Sequence, residues 1–366
     1  MARMHNFSAG PAVLPLSVIE QLSGALADFQ GCGLGLMEMS HRGKVFDDVI
    51  VGAEARFRRL IGVPDDYAVL FLQGGASLQF YMSALNLLGP GESVDYLMTG
   101  VWSTKALKEA KRCSDAVAVW EQDGTPDHVP APGSYTIRDE AKYLHYTSNN
   151  TIYGTQFPGL PESDGRPLVG DLSSDIASRP VDVSRHAVIY AGAQKNLGPS
   201  GVCMVILSPW AVEQSRRANG LRPGGIPSML NYDLMVKKAS MFNTPNTFGI
   251  YALDRVLAWV DDMGGVEAMT ARNMEKSGLL YAELDRSDFW RPHARPDSRS
   301  QMNVTWRTPT PELDAAFVAE STAAGLSGLK GHRSVGGIRA SLYNACSREN
   351  VVALVSFMQD FEQRKG

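Results

Sequence analysis

One lysine stands where an ordinary surface charge is not expected. Lys195 follows the mostly apolar run HAVIYAGAQ and precedes NLGPSGVCMVIL, which becomes apolar again past a Gly/Pro-rich turn. This pattern predicts a strand that ends at a turn, with the ammonium group partly desolvated at the strand end. A desolvated lysine loses its proton more readily than one in water and can act as a Schiff-base nucleophile. The alternative is a solvated lysine in a turn, which is the usual place of this residue type.

An acidic residue ends an earlier run of the same kind. Asp171 closes the stretch PLVGD, and taken alone it could equally be a helix cap. Taken with Lys195, it completes a pair that pyridoxal phosphate requires. The lysine amine meets the aldehyde of this cofactor, and the acid keeps the pyridine nitrogen protonated so that the ring accepts electrons. The two residues therefore favour a site in which Asp171 and Lys195 flank one ring.

Other residues near predicted strand ends suit the remaining parts of such a cofactor. The stretch LQGGASLQF is a glycine turn that opens a helix, so the N–H groups of Ala76 and Ser77 form a candidate phosphate cradle. It lacks the GK[ST] ending of a Walker motif, and GCGLGL does not match the dinucleotide pattern GxGxxG. Trp102 is either a core aromatic or a flat platform for a ring. Thr151 either stabilises a turn or bonds the phenolic oxygen of the cofactor.

Two His-Arg pairs lie in glycine-rich stretches. SHRGKVF contains Arg42, and GLKGHRSVGGIRAS contains His332, Arg333 and Arg339. Arginine binds carboxylate or phosphate through two parallel hydrogen bonds, and glycine permits close backbone approach. A single arginine is more often a solvated surface charge, but two such pairs in one chain favour a small polyanionic substrate.

Strand-like and helix-like stretches alternate along the chain and predict how these residues are positioned. Apolar runs such as YAVLFL, SVDYLMTG and KYLHYTS, interleaved with amphipathic helices, predict a mostly parallel sheet covered on both faces. Ligands of such sheets bind at the carboxyl ends of the strands, where the candidate residues fall. Near residue 260 the pattern changes to alternating stretches, such as SQMNVTWRT, interleaved with helices. We therefore predict an N-terminal segment and large domain over 1–260 and a smaller α+β domain over 261–366.

Composition excludes several classes of protein. The chain has 366 residues, 44% hydrophobic and 20% charged, with a formal net charge of −4, which gives no reason to expect nucleic acid as a partner. We find no apolar run long enough to span a bilayer and no secretory signal pattern. The four cysteines form no CxxC pair, so we expect reduced thiols and neither a metal site nor disulfides. These features predict a cytoplasmic protein.

Several stretches together resemble the motifs of one enzyme family. They are FSAGPAVLP, MEMSHRGKVF, DLSSDIASRPVDVS, YAGAQKNLGPSGV, MFNTPNTF and GLKGHRSVGGIRASLYNA. The chain is similar to the phosphoserine aminotransferase family, within the class V, fold-type I pyridoxal-phosphate aminotransferases, from about Asn6 to the last helix. The resemblance implies a large α/β domain with a mostly parallel sheet of the seven-stranded type, followed by a smaller C-terminal α+β domain.

The resemblance also implies a role for each cofactor-binding residue. Lys195 would hold pyridoxal 5′-phosphate as an imine and move the proton of the substrate, and Asp171 would pair with the pyridine nitrogen. The other implied contacts are Trp102 on the ring, Thr151 on its phenolic oxygen, and Ala76, Ser77 and Gln194 on the phosphate. Asn243 and Thr244 would reach the phosphate from the neighbouring subunit of a homodimer, so each active site would be shared.

The implied substrates are small anions. Arg339 would bind the α-carboxylate. His41, Arg42, His332 and Arg333 would surround the substrate phosphate or the side-chain carboxylate of glutamate, with some of these four contributed across the subunit interface. The implied reaction is a ping-pong transfer of the amino group of L-glutamate to 3-phosphohydroxypyruvate, which gives O-phospho-L-serine and 2-oxoglutarate in serine biosynthesis. A related role on 4-phosphohydroxythreonine in pyridoxine biosynthesis is implied by the resemblance only.

Two alternatives stay open on the sequence. The first keeps the cofactor but changes the reaction, as in an alanine–glyoxylate aminotransferase or a cysteine desulfurase. A desulfurase needs a reactive cysteine, and the late candidate Cys346 lies next to a predicted helix start, where a structural role is expected. The second alternative is a cofactor-free α/β binding protein in which Lys195 is structural.

Overall fold

The computed structural model describes residues 3–366. Within that range the α-helices are α1 Leu16–Ala27, α2 Lys44–Ile61, α3 Gly75–Leu87, α4 Val101–Ala110, α5 Pro209–Leu221, α6 Tyr232–Lys237, α7 Thr247–Asp262, α8 Gly265–Leu284, α9 Pro311–Ala323 and α10 Arg348–Lys365. The strands are β1 His5–Asn6, β2 Ala68–Leu72, β3 Ser93–Met98, β4 Asp115–Glu121, β5 Ala141–Thr147, β6 Asn149–Asn150, β7 Thr155–Gln156, β8 Leu168–Asp171, β9 His186–Gly192, β10 Cys203–Leu207, β11 Arg291–Pro292, β12 Asn303–Arg307, β13 Leu326–Ser327 and β14 Ile338–Ser341.

A seven-stranded sheet forms the centre of the larger part of the molecule. Its strand order is β2-β10-β9-β8-β5-β3-β4. The pairs β3/β4, β3/β5, β5/β8 and β8/β9 are parallel, whereas β10 runs antiparallel to both β2 and β9. The apolar runs of the sequence supply these strands, so the prediction of a mostly parallel seven-stranded sheet is confirmed.

Helices cover both faces of this sheet, which explains why its central strands are mostly apolar and buried. All seven residues of β9 are buried. Because successive side chains of a strand point to opposite faces, neighbouring residues of β9 enter different cores. Ile189 packs in a cluster with Phe57 of α2 and Leu253 of α7, and Val188 packs in another with Phe80 of α3.

The sheet gathers the candidate residues at one edge. Since β10 is antiparallel to both β2 and β9, the carboxyl ends of β2, β3, β5, β8 and β9 lie on the same side. Two of the turns at this edge require glycine. Gly74 has φ +85°, and Gly100 has φ +144°, where an added Cβ would lie 2.2 Å from Nδ2 of Asn150. Larger residues at these two positions would therefore distort the turns that lead into α3 and α4.

The C-terminal region has its own sheet and apolar cluster. Strands β11, β12 and β14 form an antiparallel sheet in that order, and β1 pairs in parallel with β13. The cluster includes Trp290, Trp306, Phe317 and Phe361. Helix α7 crosses the predicted domain boundary at residue 260, and the division into domains stays a prediction.

The described residues also bear on membrane spanning, metal binding and the state of the cysteines. No helix within residues 3–366 is both long and apolar enough to cross a membrane. In the same part of the chain, no group of three or more His, Cys, Asp or Glu side chains is arranged to hold a metal ion. The four cysteines are free thiols, two of them buried.

Candidate active site

A cavity of about 280 Å³ lies at the carboxyl edge of the seven-stranded sheet. Its walls come from the strand-end loops, from the N-terminal segment and from the C-terminal sheet. Nine residues selected from the sequence line it: Ala76, Ser77, Trp102, Thr151, Asp171, Gln194, Lys195, His332 and Arg339. The tertiary structure therefore places the candidate lysine, acid, aromatic and arginine in one space.

Asp171 and Lys195 occupy adjacent strand ends of this cavity. Asp171 is the last residue of β8 and is 5% exposed, and its Oδ1 accepts a hydrogen bond from the Ser173 N–H at 3.0 Å. Lys195 follows β9, and a Cβ added at Gly10 would contact its Cγ at 3.4 Å. Gly10 thus lies directly against the lysine stem. With Oδ1 engaged, Oδ2 of Asp171 is the oxygen that can face a ligand.

The two side chains shift each other's protonation. Burial raises the pKa of Asp171, and the positive charge of Lys195 opposes that rise. Desolvation lowers the pKa of Lys195 to about 8, against the pull of the carboxylates of Asp171 and Asp175. A lysine with this pKa has a sizeable neutral fraction near neutral pH, and the neutral amine is the nucleophilic form.

We expect this pKa to control covalent uptake of an aldehyde. In the cofactor-free protein, the rate of imine formation with pyridoxal phosphate should rise with pH and reach half its maximum near pH 8. The reason is that the fraction of neutral amine increases as the pH passes the lysine pKa of about 8. An unperturbed lysine would put the midpoint near its ordinary value of 10.5. Stopped-flow absorbance from pH 6 to 11 measures the midpoint, and a midpoint above pH 10 would contradict a desolvated Lys195.

An aromatic wall stands beside the lysine. The Nε1 of Trp102 donates a hydrogen bond to Oγ1 of Thr151 at 3.0 Å, which fixes the orientation of the indole. The Nζ of Lys195 lies 5.9 Å from the centroid of the Trp102 ring. The Nζ of Lys105, one turn further along α4, lies 4.5 Å from the same centroid and makes a cation–π contact with the indole. Trp102 is thus held as a flat surface next to the amine.

The start of α3 provides an anion site. Gly74 and Gly75 have φ +85° and +60°, and a Cβ added at Gly75 would meet no heavy atom within 4 Å. The helix N-terminus therefore opens into free space with Ala76 and Ser77 on the cavity wall. Free N–H groups at a helix start, together with the helix dipole, favour a phosphate. The donors at this edge fit an aromatic aldehyde that carries a phosphate group.

Positive groups from the C-terminal region line the same cavity. Nη1 of Arg339 on β14 donates to the Thr151 carbonyl at 2.7 Å, while its Nε is buried without a hydrogen-bond partner. Nδ1 of His332 lies 2.7 Å from Oγ of Ser334. Desolvation lowers the pKa of His332, and the charges of Arg339, Arg333 and Lys105 lower it further. A buried unpaired N–H among positive charges suits an anionic ligand.

Five selected residues do not line this cavity: His41, Arg42, Asn243, Thr244 and Arg333. Arg42 and Arg333 are exposed, and Nε2 of His41 is buried without a hydrogen-bond partner. The Thr244 carbonyl accepts from Nε2 of Gln73 at 3.0 Å, beside the glycine turn of its own chain. Their predicted contributions across a subunit interface stay predictions.

Some cavity residues were not selected from the sequence. Ala9, Gly10, Asn149, Ser173 and Ser174 line the wall. For three of them the sequence offers a local signal that could have found them. Gly10 lies in the stretch FSAGP, and Ser173 and Ser174 follow Asp171 in DLSSD.

A second buried acid lies close behind the cavity. Oδ2 of Asp175 accepts from Oγ of Ser148 at 2.6 Å and from Nε2 of Gln156 at 3.1 Å. Its negative charge raises the pKa of Lys195. Asp175 therefore acts on the lysine through its charge, as well as holding Ser148 and Gln156.

The chain is similar to known enzymes along its whole length. Residues 4–354 match the family described as Aminotransferase class-V. The phosphoserine aminotransferase of Desulfotalea psychrophila is 51% identical over 360 residues, which are 98% of each chain. The solved phosphoserine aminotransferase of Bacillus circulans subsp. alkalophilus superimposes with a TM-score of 0.94 at 46% identity, covering 100% of this chain and 99% of that one. The PLP-bound phosphoserine aminotransferase of Trichomonas vaginalis superimposes with a TM-score of 0.90 at 37% identity, covering 98% and 100%.

Proposed function

Because this chain belongs to the phosphoserine aminotransferases, a family of the class V aminotransferases with pyridoxal phosphate as cofactor, we propose that it transfers the amino group of L-glutamate to 3-phosphohydroxypyruvate. The products are O-phospho-L-serine, for serine biosynthesis, and 2-oxoglutarate. The observation that carries the proposal is that Lys195, Asp171 and Arg339 line one cavity with a helix N-terminus.

The residues at the cavity divide the work of holding the cofactor. When bound, pyridoxal phosphate supplies an aldehyde for the amine and a ring that takes up electrons from the substrate α-carbon. Lys195 would hold it through Nζ, Trp102 would cover the ring, and the start of α3 would bind its phosphate. Thr151 would bond the phenolic oxygen, and Gln194 would add a contact to the phosphate. Asp171 would hold a proton at the ring nitrogen through Oδ2.

Lys195 also moves the substrate proton. Its pKa of about 8 suits an amine that must be neutral to accept the proton and charged to return it. The amine stands beside the Trp102 ring, 5.9 Å from its centroid, so its reach covers the space next to a ring stacked there. Burial of the neighbouring Asp171 keeps water from weakening the attraction between the two groups.

Arg339 would orient the substrate. Its Nη1 is tied to Thr151, which stiffens the guanidinium, and its unpartnered Nε remains for the α-carboxylate. Both substrates carry an α-carboxylate, so one arginine serves each half of the reaction. His332 and Arg333, with His41 and Arg42, would bind the end of the substrate that differs, either a carboxylate or a phosphate.

We propose that the active site is completed in a homodimer in the cytoplasm. Exposed apolar side chains lie on elements that pack around α7, namely Leu16 and Ile19 of α1, Val45 and Val51 of α2, Met37 between them, and Phe242 just before α7. A second copy would cover this face and bring Asn243, Thr244 and Arg42 towards the cavity of its partner.

Mixed dimers of Arg42→Ala and Lys195→Ala protomers test whether the two subunits share each active site. Regain of activity on mixing supports it, and no regain contradicts it.

A spectral titration of the purified holoenzyme tests the reaction. Glutamate should shift the absorption of the bound cofactor and release 2-oxoglutarate, and 3-phosphohydroxypyruvate should restore the first spectrum and yield O-phosphoserine. Pyruvate and glyoxylate serve as control acceptors without phosphate, and 4-phosphohydroxythreonine with 2-oxoglutarate tests the proposed pyridoxine role. A protein that takes up no pyridoxal phosphate, or that prefers glyoxylate, would refute the proposal.

Arg42 and Arg333 should control the use of the phosphorylated substrate. Replacing either with alanine is expected to lower kcat/KM for 3-phosphohydroxypyruvate by about 10- to 150-fold, because a lost charge-assisted hydrogen bond costs about 1.5–3 kcal/mol. Cofactor absorption should be unchanged. Arg364→Ala, which removes an exposed arginine on the last turn of α10, is the control. Unchanged kcat/KM in both variants would remove these arginines from the site.

Sulfur chemistry has less support from the structure. Cys346 is 1% exposed, and burial raises the pKa of its thiol. A reactive cysteine needs an accessible thiolate, which this environment disfavours.

A further inference from the structure

Lys276 of α8 is a buried lysine outside the cavity. Lys276 is 3% exposed, and its ammonium donates three hydrogen bonds, all to backbone carbonyls. The acceptors are Leu342 at 3.0 Å, Tyr343 at 3.0 Å and Cys346 at 2.8 Å. These carbonyls belong to residues 342–346, here named the 342–346 turn, which connects β14 to α10. An ammonium among three carbonyls acts much as a bound cation does, and it fixes the shape of the turn.

The 342–346 turn contacts three parts of the active site. Its first residue follows β14, the strand that carries Arg339. The hydroxyl of Tyr343 donates to the Ala9 carbonyl at 2.8 Å, and Ala9 precedes Gly10, which lies against the stem of Lys195. The N–H of Asn344 donates to Oδ1 of Asn196 at 3.0 Å, and Asn196 directly follows Lys195 in the chain.

The contacts on the Lys195 side are themselves anchored. Nδ2 of Asn196 donates to the Ile176 carbonyl at 3.1 Å, and Nδ2 of Asn344 donates to the Ala177 carbonyl at 2.8 Å. Both carbonyls lie in the segment that follows Asp171. The turn is therefore bonded to the loops of both residues of the catalytic pair as well as to the arginine strand.

We propose that Lys276 is a positioning residue of the active site. Its ammonium shapes the 342–346 turn, and that turn sets the position of the Arg339 strand relative to the loop of Lys195 and the segment of Gly10. The inference rests on the proposed transamination, since both substrates must lie between the arginine and the lysine. Misplacement of about 1 Å in such an arrangement lowers the rate by about 100-fold.

Lys276→Ala with chemical rescue tests this role. A cavity of about 580 Å³ is lined by Lys276, Asn344 and Cys346, so a small cation can reach the position of the lysine ammonium. n-Propylammonium replaces the atoms removed, and tetramethylammonium, which has no N–H donor, is the negative control. We expect kcat/KM for glutamate to fall by about 10- to 100-fold and to recover at least about fivefold with n-propylammonium only. Wild-type enzyme in the same amine corrects for reaction of the amine with the cofactor.

Two more variants separate positioning from stability. Phe317→Leu weakens the C-terminal apolar cluster, in which Phe317 is fully buried, and should lower Tm while changing kcat/KM less than about twofold. Tyr343→Phe keeps the ring and removes one hydroxyl, so it should fold and should raise KM for glutamate. In the cofactor-free protein, hydrogen exchange at residues 194–196 should speed up in Lys276→Ala and Tyr343→Phe but not in Phe317→Leu.

The outcomes distinguish this proposal from the proposed function. Failure of the wild-type enzyme to transaminate would refute the function, whereas the exchange measurement reports on the turn without any substrate. If Lys276→Ala lowers only Tm, as Phe317→Leu does, Lys276 is a structural residue and the inference is wrong. If Lys276→Ala does not fold, the Tyr343→Phe variant decides the question. Kinetic constants and hydrogen exchange equal to those of the wild-type enzyme in Tyr343→Phe would overturn the inference.

Discussion

Replacing Lys195 with alanine is expected to lower kcat by at least about 10⁴-fold, since loss of a covalent nucleophile costs about 10⁶-fold in a serine protease. Among the cavity-lining residues of the described range 3–366, Lys195 is the only lysine, and the proposed reaction needs an amine both to hold the cofactor and to move the substrate proton. The near-visible absorption of the holoenzyme should be lost or displaced. Absorbance and single-turnover transfer from glutamate measure the two effects.

Two matched variants show which property of Lys195 matters. Lys195→Arg keeps a positive charge near Asp171, but arginine is not deprotonated in proteins and cannot form the imine. It should therefore be as inactive as Lys195→Ala. Lys108→Ala removes an exposed lysine from α4 and should leave kcat within about twofold, as for most surface substitutions. Substantial activity in Lys195→Arg would mean that the charge, and not the nucleophile, is required.

Replacing Asp171 with asparagine should have the second largest effect. Asparagine has the same shape and can keep the hydrogen bond from the Ser173 N–H, but it carries no negative charge to hold a proton at the ring nitrogen. We expect kcat to fall by about 10²- to 10³-fold, the range found when one preorganised electrostatic contact is removed. Cofactor binding should persist, because Lys195, Trp102 and the start of α3 are unchanged. Steady-state kinetics and cofactor absorption measure the two properties.

The same variant should change the pH dependence of cofactor uptake. The carboxylate of Asp171 raises the pKa of Lys195, against the desolvation that lowers it to about 8. Removing the carboxylate should therefore move the midpoint of uptake below pH 8. Asp175→Asn is the matched control, since it also removes a buried negative charge that acts on Lys195. It should shift the midpoint in the same direction with a smaller loss of kcat, and an equal loss in both variants would contradict the special role of Asp171.

Much of the fold was accessible from local patterns. The runs that form β2, β3, β5, β8 and β9 are mostly apolar because both faces of a central strand are buried, so each is recognisable as a strand without knowledge of its neighbours. Their polar ends then marked the ligand edge. Asp171 and Lys195 were found in this way, and both lie on the cavity wall.

Residues that act through long-range contacts were harder to recognise. Lys276 lies on α8, and the pattern around it resembles that of any amphipathic helix. Its three acceptors come from a turn more than sixty residues later. Asp175 likewise gains its significance from the effect of its charge on Lys195, which lies on a different strand-end loop. Single-sequence patterns report burial and local geometry, and they carry no information on which distant groups meet.

The sequence by itself determined the order of strands and helices, the edge at which a ligand would bind and the residue types of the catalytic pair, because hydrophobic periodicity and turn chemistry are local properties. Only the tertiary structure decided that Arg339, from the C-terminal sheet, shares a cavity with Lys195. It also decided that Lys276 is buried against carbonyls and that His41, Arg42 and Asn243 lie outside the cavity of their own chain. These outcomes depend on the register of distant strands and on the free energy of packing, which no short stretch of residues specifies.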